Sequence, residues 1–479
     1  MISAEFYSVK KTLGKGIIIF MQDNTIAAIS TPRAAGGISM IRISGDSALE
    51  IADMLFKPIS RKEKPSEMDG YTCAYGKILS KEGEELDDCI LTVFRAPRSY
   101  TGEDVVEISC HGGIFITERV LRAVYDCGAI PAGGGEFTKR AFLNGKLSLT
   151  QAEAVMDIIS AEGKAFYRRA ANVKEGALYK SIKACSDKLL GLLGELDAWV
   201  DYPDEDIPEV SPENMTAVLT DVLSEIRRIS AGYDNTRILK SGVDTVIAGK
   251  PNVGKSTLMN LLAGEEKSIV TDIPGTTRDI VEESVRLGDI VLRLSDTAGL
   301  RETEDIVEGA GIEKARRRLE TADLIIAVFD NSTPLDDDDM KLIESCKSLS
   351  GVKVIACINK NDKASLIEKD KIEASFENVI EISAEKGDGK DKLQIVLYNM
   401  FITNSNIYND ISVNERQKQC LDNAGKCIDE ALIAISSGTT LDAVNIILDE
   451  AQSNLLELTG ERVSEAVVNE VFSHFCVGK

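Results

Sequence analysis

Histidine and tryptophan are nearly absent from this 479-residue chain, which has two histidines, His111 and His474, and one tryptophan. Ten cysteines are scattered without a Cys-x-x-Cys pair. These absences exclude the usual zinc-ligand spacings and a disulfide framework, and they make a reducing cytoplasm the expected compartment. No run of 18 apolar residues occurs, so no membrane-spanning helix is predicted and no membrane partner is expected. The segment Gly16-Ile-Ile-Ile-Phe20, preceded by Lys10, Lys11 and Lys15, is too short for the apolar core of a signal peptide. Residues 1–20 read as an N-terminal extension. Positive charge is also scarce: 55 Lys and Arg face 78 Asp and Glu, a formal charge of −23. That balance opposes broad electrostatic binding to nucleic acid or an anionic membrane, so any RNA contact must be local or shared with a partner. The densest basic cluster, Arg316-Arg-Arg318, lies beside Glu313 and Glu320 and reads as a solvated helix face. Repeats and low-complexity segments are missing as well.

What is present is concentrated between Val243 and Ala384. The segment Gly249-Lys-Pro-Asn-Val-Gly-Lys-Ser256 follows the apolar run Val246–Ala248 and precedes a helical run, Ser256–Ala263. Its glycines therefore occupy a strand-to-helix turn, which aims backbone N–H groups and a positive helix end at phosphate oxygens. Lys255 is placed to reach the β- and γ-phosphates and Ser256 to ligate magnesium. Gly275-Thr-Thr277 and Asp296-Thr-Ala-Gly299 follow in order. Asp296 comes after the run Ile290–Leu294 and so stands at a strand end, where it can hold magnesium through water. Gly299 can offer its N–H to the γ-phosphate. After the apolar run Val354–Ile358 comes Asn359-Lys-Asn-Asp362, then Ser383-Ala384. An ionised carboxylate only accepts hydrogen bonds, so Asp362 suits a base edge that pairs a ring N–H with an exocyclic amino group. Guanine has that edge and adenine does not. The nucleotide-contacting set is accordingly Asn252, Val253, Gly254, Lys255, Ser256 and Thr257; Thr271, Asp272, Ile273, Pro274, Gly275, Thr276 and Thr277; Asp296, Thr297, Ala298 and Gly299; and Asn359, Lys360, Asp362, Ser383 and Ala384. In order and register these motifs describe a GTP-hydrolysing switch domain. Leu300 occupies the position after Asp-x-x-Gly where small signalling GTPases carry a water-positioning Gln. An aliphatic side chain cannot orient water, so that work must move elsewhere, and the loop Arg301–Glu308 holds several carboxylates.

At 479 residues about three domains are expected, of which the G-domain accounts for 239–400. Residues 21–140 alternate strand-like runs (Thr25–Ile29, Ile38–Ile43, Cys89–Phe94, Asp104–Ile108) with helix-like pieces (Ser47–Leu55, Phe115–Asp126), an α/β or α+β unit. From Ser148 the pattern becomes helical: Leu149–Gly163, Ala165–Trp199 and Pro212–Tyr233 carry apolar residues three and four apart. It returns after Phe401 in Val413–Ser437, Asp442–Leu458 and Arg462–Phe472. Helices flanking the G-domain predict one helical domain, 141–238 plus 401–479, into which the G-domain is inserted.

Outside the G-domain, the motifs are Met40-Ile-Arg-Ile-Ser-Gly45, Ser99-Tyr-Thr-Gly-Glu-Asp-Val-Val-Glu-Ile108, His111-Gly-Gly113, Gly135-Glu-Phe-Thr-Lys-Arg-Ala-Phe-Leu-Asn-Gly-Lys146, Asp201-Tyr-Pro-Asp-Glu-Asp-Ile-Pro208 and Phe475-Cys-Val-Gly-Lys479. In these the chain resembles the MnmE or TrmE family of tRNA-modification GTPases from Met21 to its end. Gly134 stands where that family suggests proline and Ser148 where it suggests aspartate. The resemblance implies a multidomain α/β architecture: a tetrahydrofolate-binding-like α+β domain that forms a homodimer, a central helical domain and an inserted Ras-like P-loop G-domain. It implies a flavin-dependent partner, MnmG, in a heterotetrameric or larger complex. With it the dimer would install an aminomethyl or carboxymethylaminomethyl group on carbon 5 of the tRNA wobble uridine. A reduced folate, 5,10-methylene- or 5-formyltetrahydrofolate, would supply the carbon. The folate residues implied are Arg42, Glu107, Lys146 and Lys479, and the role of Cys476 stays open. In the G-domain the resemblance implies a potassium ion held by Asn252, Thr271, Ile273 and Thr276, magnesium at Ser256 and Thr277, and Glu308 orienting the attacking water. A regulatory GTPase of ribosome assembly is the alternative, because its phosphate loop and Asp-x-x-Gly-Leu segment look similar.

Overall fold

A computed structural model describes residues 10–13, 17–20, 24–60, 62–161, 163–201, 211–264, 283–288, 290–296, 318–349, 351–403 and 411–479. These divide into two compact units, one of 1–156, 171–230 and 415–479, the other of 157–170 and 231–414. Near the start, strands β1 (Lys10–Leu13) and β2 (Ile17–Phe20) pair antiparallel.

The first unit opens with a seven-stranded sheet of β3 (Ile26–Ile29), β4 (Ile38–Ser44), β5 (Phe56–Pro58), β6 (Thr72–Leu79), β7 (Glu85–Phe94), β8 (Val105–His111) and β9 (Ile130–Pro131), in the order β5-β6-β7-β8-β4-β3-β9. All its pairings are antiparallel except β3 with β9. Side chains alternate across it with period two. Inward residues such as Ile41, Ile43, Leu91, Val93, Val106 and Ile108 share a core with helices α1 (Ala48–Leu55) and α2 (Ile114–Asp126). Phe137 of helix α3 (Glu136–Leu143) instead joins Ile26, Ala28 and Ala132 in a separate small cluster.

The rest of this unit is helical. Helices α4 (Leu149–Ile159) and α5 (Lys164–Lys174), of which residues 157–170 belong to the second unit, precede α6 (Ala177–Asp201) and α7 (Pro212–Ser230). The stretch Ala165–Trp199 is therefore two helices rather than the single one that its periodicity predicts. The break falls at Gly176, whose φ of +92° an α-helix cannot continue. Helices α6 and α7 form a bundle with two helices from the far end of the chain, Glu415–Ser436 and Leu441–Thr459. In it α7 lies on Glu415–Ser436 and α6 on Leu441–Thr459. The buried residues Leu178, Ile182, Cys185 and Leu189 on α6, and Val444, Leu448, Ala451 and Leu455 on the last of these, recur at three- and four-residue intervals, as one apolar stripe requires.

Besides 157–170, the second unit comprises 231–414, which opens with helix α8 (Tyr233–Ser241) and carries a six-stranded sheet. Its strands are β10 (Val243–Ala248), β11 (Glu283–Leu287), β12 (Ile290–Asp296), β13 (Leu324–Asp330), β14 (Lys353–Asn359) and β15 (Val379–Glu381). The order is β11-β12-β10-β13-β14-β15, and every pairing is parallel except the edge pair β11–β12. Strand β13 is buried along its whole length, as expected for the centre of a parallel sheet covered on both faces. Helices α9 (Lys255–Ala263), α10 (Asp337–Ser348), α11 (Lys369–Glu373) and α12 (Lys390–Tyr398) lie between or after the strands. The C-terminal ends of β10, β13, β14 and β15 fall on one edge, the usual ligand edge of such a sheet.

Candidate functional site

Three of the loops leaving that edge converge. After Ala248 the chain runs through 249–254 into α9, with Gly254 in a left-handed conformation (φ +97°) as the residue before the helix. A Cβ on Gly254 would stand 2.2 Å from Nδ2 of Asn359, so only glycine fits. Asn359 ends β14 and is 2% exposed. Its Nδ2 donates to the Val253 carbonyl at 2.8 Å, and its Oδ1 accepts the Ala384 N–H at 2.9 Å. The amide thus ties the phosphate-loop motif to the Ser383-Ala384 loop. Lys360 adds a second tie, donating to the Asn252 carbonyl at 2.7 Å and to Asp330 at 2.6 Å. Both Asn252 and Lys360 are left-handed, with φ of +65° and +63°. Such conformations cost about 1–3 kcal/mol each and gather at functional sites. Here the two residues are joined by the Lys360–Asn252 hydrogen bond.

Asp362 accepts a hydrogen bond from the Ser383 hydroxyl at 2.7 Å. That bond, more than Lys386 at 3.9 Å, holds its carboxyl below the usual range and keeps it an acceptor. Asp330 is likewise held below the ordinary range: burial pushes it up, but Lys360 and Ser332 together outweigh that. Lys255 donates to the carbonyls of Gly249 and Lys250, both at 2.9 Å. Ser256 and Thr257, in the first turn of α9, are exposed. Asp296 ends β12 opposite Ile247 of β10, beside the phosphate-loop strand. Thr271, Asp272, Ile273, Pro274, Gly275, Thr276, Thr277, Thr297, Ala298, Gly299, Leu300 and Glu308 lie outside the described residues.

A second polar constellation lies on the seven-stranded sheet. Arg42 on β4 and Glu107 on β8 are directly opposite in register. The Nε and Nη2 of Arg42 reach Oε1 of Glu107 at 2.9 and 2.8 Å. The guanidinium also lies 5.6 Å from the ring centres of both Tyr100 and Phe137. The chain terminus closes this group: Gly478 offers its carbonyl to Ser30 Oγ at 3.1 Å and to Arg42 Nη1 at 3.4 Å. Val477 bridges to Gly134, and the Phe137 N–H donates to the Lys479 carbonyl at 3.2 Å. Burial, and then Arg42, push the Lys479 ammonium below its ordinary pKa. Three of the four residues assigned to this site are thus brought together. Lys146 is exposed and makes its own bond, donating to the Pro97 carbonyl at 2.9 Å. Tyr100, Phe137 and Ser30 belong to the group but were not singled out from sequence. Tyr100 and Phe137 lie inside motifs already noted, Ser99–Ile108 and Gly135–Lys146, and only their aromatic character hinted at a role.

The sequence matches two family models, the GTP-binding protein TrmE N-terminus over residues 25–146 and the MnmE helical domain over 149–476. It is 40% identical over 462 residues to the tRNA modification GTPase MnmE of Carboxydothermus hydrogenoformans, covering 96% of this chain and 100% of that one. Against the MnmE of Bacillus licheniformis the identity is 41% over 462 residues, 95% of this chain and 100% of the relative. Among solved structures, the G domain of the T. maritima FeoB iron transporter is similar over 33% of this chain and 98% of its own, with 27% identity and a TM-score of 0.25. With both family models covering its length and near-complete relatives at 40% identity, the chain belongs to the tRNA modification GTPase MnmE family.

Proposed function

We propose that this protein is a GTP hydrolase acting in tRNA modification. The observation that carries the reading is the convergence of Gly249–Ser256, Asn359, Lys360, Asp362 and Ser383 at one sheet edge, joined by the bonds of Asn359 and Lys360. That arrangement supports a phosphate cradle beside an ionised acceptor suited to guanine. Membership of the tRNA-modification family weighs against the ribosome-assembly alternative. Magnesium would be held by Ser256 and Thr277, and potassium by Asn252, Thr271, Ile273 and Thr276. These ions would supply positive charge to the transferring phosphoryl group. Glu308 would orient water in place of the Gln that Leu300 replaces.

In the same reading, Arg42, Glu107, Lys146 and Lys479 bind a reduced folate. Two cations and a carboxylate gathered beside two aromatic rings fit the chemistry of such a ligand, whose pterin presents paired donors and whose tail is anionic. The bound folate would supply the one-carbon unit for the wobble uridine, in a cytoplasmic homodimer working with the flavin-dependent MnmG. Mass spectrometry of tRNA nucleosides from a deletion strain tests the whole reading. Loss of the 5-aminomethyl or 5-carboxymethylaminomethyl uridine derivatives is expected, and an unchanged profile would refute it. Calorimetric titration of full-length protein with 5-formyltetrahydrofolate tests the folate part: Glu107→Ala should abolish binding, and binding unaltered by that change would exclude this site.

A further inference from the structure

Lys250, the second residue of the phosphate loop, has no role in the motif, yet its side chain is paired with two carboxylates. It is 14% exposed, and its ammonium lies 2.7 Å from carboxylate oxygens of both Asp336 and Asp339. Those two residues form the start of α10. Asp336 caps the helix by accepting the N–H groups of Asp338 and Asp339 at 3.1 Å, and Asp339 accepts the Asp336 N–H at 3.3 Å. Asp339 is 2% exposed, and its Oδ1 is buried without a hydrogen-bond partner. A carboxylate this buried needs a nearby counter-charge, and Lys250 supplies it. The backbone of Lys250 faces the other way in function: its carbonyl and that of Gly249 receive the Lys255 ammonium at 2.9 Å.

We propose that Lys250 is a positioning residue for GTP hydrolysis, its side-chain clamp on Asp336 and Asp339 fixing the carbonyls that aim Lys255 at the phosphates. This rests on reading 249–256 as the phosphate loop. A small misplacement of a phosphate-binding ammonium costs rate as well as affinity, because its charge is needed most in the transition state.

The test uses full-length protein, measuring kcat and KM for GTP together with binding of a fluorescent GDP analogue and the thermal unfolding midpoint. Lys250→Met should lower kcat/KM on the order of 10²-fold, with a fall in kcat and not only a rise in KM. Lys250→Arg, which can span the same two carboxylates, should restore most of it. In a Lys255→Ala background Lys250→Met should have no further effect, since the group it positions is gone. Effects that add in that background, or a variant whose unfolding midpoint falls while kcat and KM stay at wild-type values, would overturn the proposal. If Lys250→Met does not fold, the pair Lys250→Gln with Asp339→Asn removes the buried charge along with its partner and is held to the same outcomes. Wild-type protein that fails to bind GTP, or a Lys255→Ala variant as active as wild type, would instead overturn the phosphate-loop reading.

Discussion

Asn359 sits in a motif read as choosing the base, yet its side chain is engaged on both sides by backbone, with Val253 at one end and Ala384 at the other. The group assigned to discriminate the base is Asp362, whose carboxyl is held below its ordinary pKa first by the Ser383 hydroxyl. Asp362→Asn replaces an acceptor by a donor, so GTP affinity should fall on the order of 10- to 100-fold. Xanthosine triphosphate, which presents a carbonyl where guanine has an amino group, should gain; competition binding with both nucleotides checks this. The potassium assignment is tested by hydrolysis rates at equal ionic strength, which should be markedly faster in potassium than in sodium, with Asn252→Ala erasing the difference. Equal rates in wild type would count against it. In the N-terminal sheet, His111 Nδ1 lies 2.7 Å from Asp87 Oδ1. That hydrogen bond, and then the carboxylate's charge, raise the His111 pKa above its ordinary value. A raised folded-state pKa means that the contribution to stability is complete below about pH 6.5 and fades as pH climbs through the folded value. An NMR titration should place the His111 midpoint above about 6.5 and Asp87→Asn should return it there; a wild-type midpoint at or below the ordinary value would refute the pairing.

Among elements, those with strong periodicity were legible. Ala48–Leu55, Ile114–Asp126 and the strands β4 and β8 lie within a few residues of where alternation and helical spacing put them. Strand β6 was not legible, because its inward positions are Ala74, Gly76 and Ile78, too little apolar surface to show the period. The predicted helix Arg462–Phe472 starts later, at Glu465, because Ser464 caps it through the Val467 N–H. The C-terminal tail has no regular pattern, and its place is set by single contacts. Gly478 has φ +95°, and a Cβ there would approach the Ile29 carbonyl to 2.3 Å. Gly478→Ala should therefore displace the tail from Arg42, weakening folate binding while leaving GTP turnover unchanged; calorimetry and a phosphate-release assay read the two effects. In the bundle, Leu448 is fully buried. Leu448→Ala should cost about 2–5 kcal/mol, measured by denaturant unfolding, and a loss below about 1 kcal/mol would show that the stripe is not a packed core.

At the scale of the molecule, the stretch 231–414, which makes up most of the second compact unit, is enclosed in sequence by the two halves of the bundle. A fragment ending near Asp234 would keep the N-terminal sheet but strip α6 and α7 of their partners. It should expose their apolar stripes and aggregate, whereas full-length protein should not; light scattering distinguishes the two. Removing only residues 476–479 should abolish tRNA modification and spare GTP hydrolysis, because no residue among them belongs to a nucleotide motif. By itself the sequence determined the nucleotide motifs, their order and the helical texture on either side, because contiguous residues carry phosphate loops, base-edge acceptors and amphipathic periods. Only the tertiary structure decided which distant groups meet. Arg42 faces Glu107 because β4 and β8 are neighbours in one register, and Gly478 reaches both β3 and Arg42 because the last helix returns the chain to that sheet. Lys250 finds Asp336 and Asp339 because parallel strands deliver their loops to the same edge. Such meetings depend on strand order and loop closure between residues tens to hundreds apart, which no local pattern encodes.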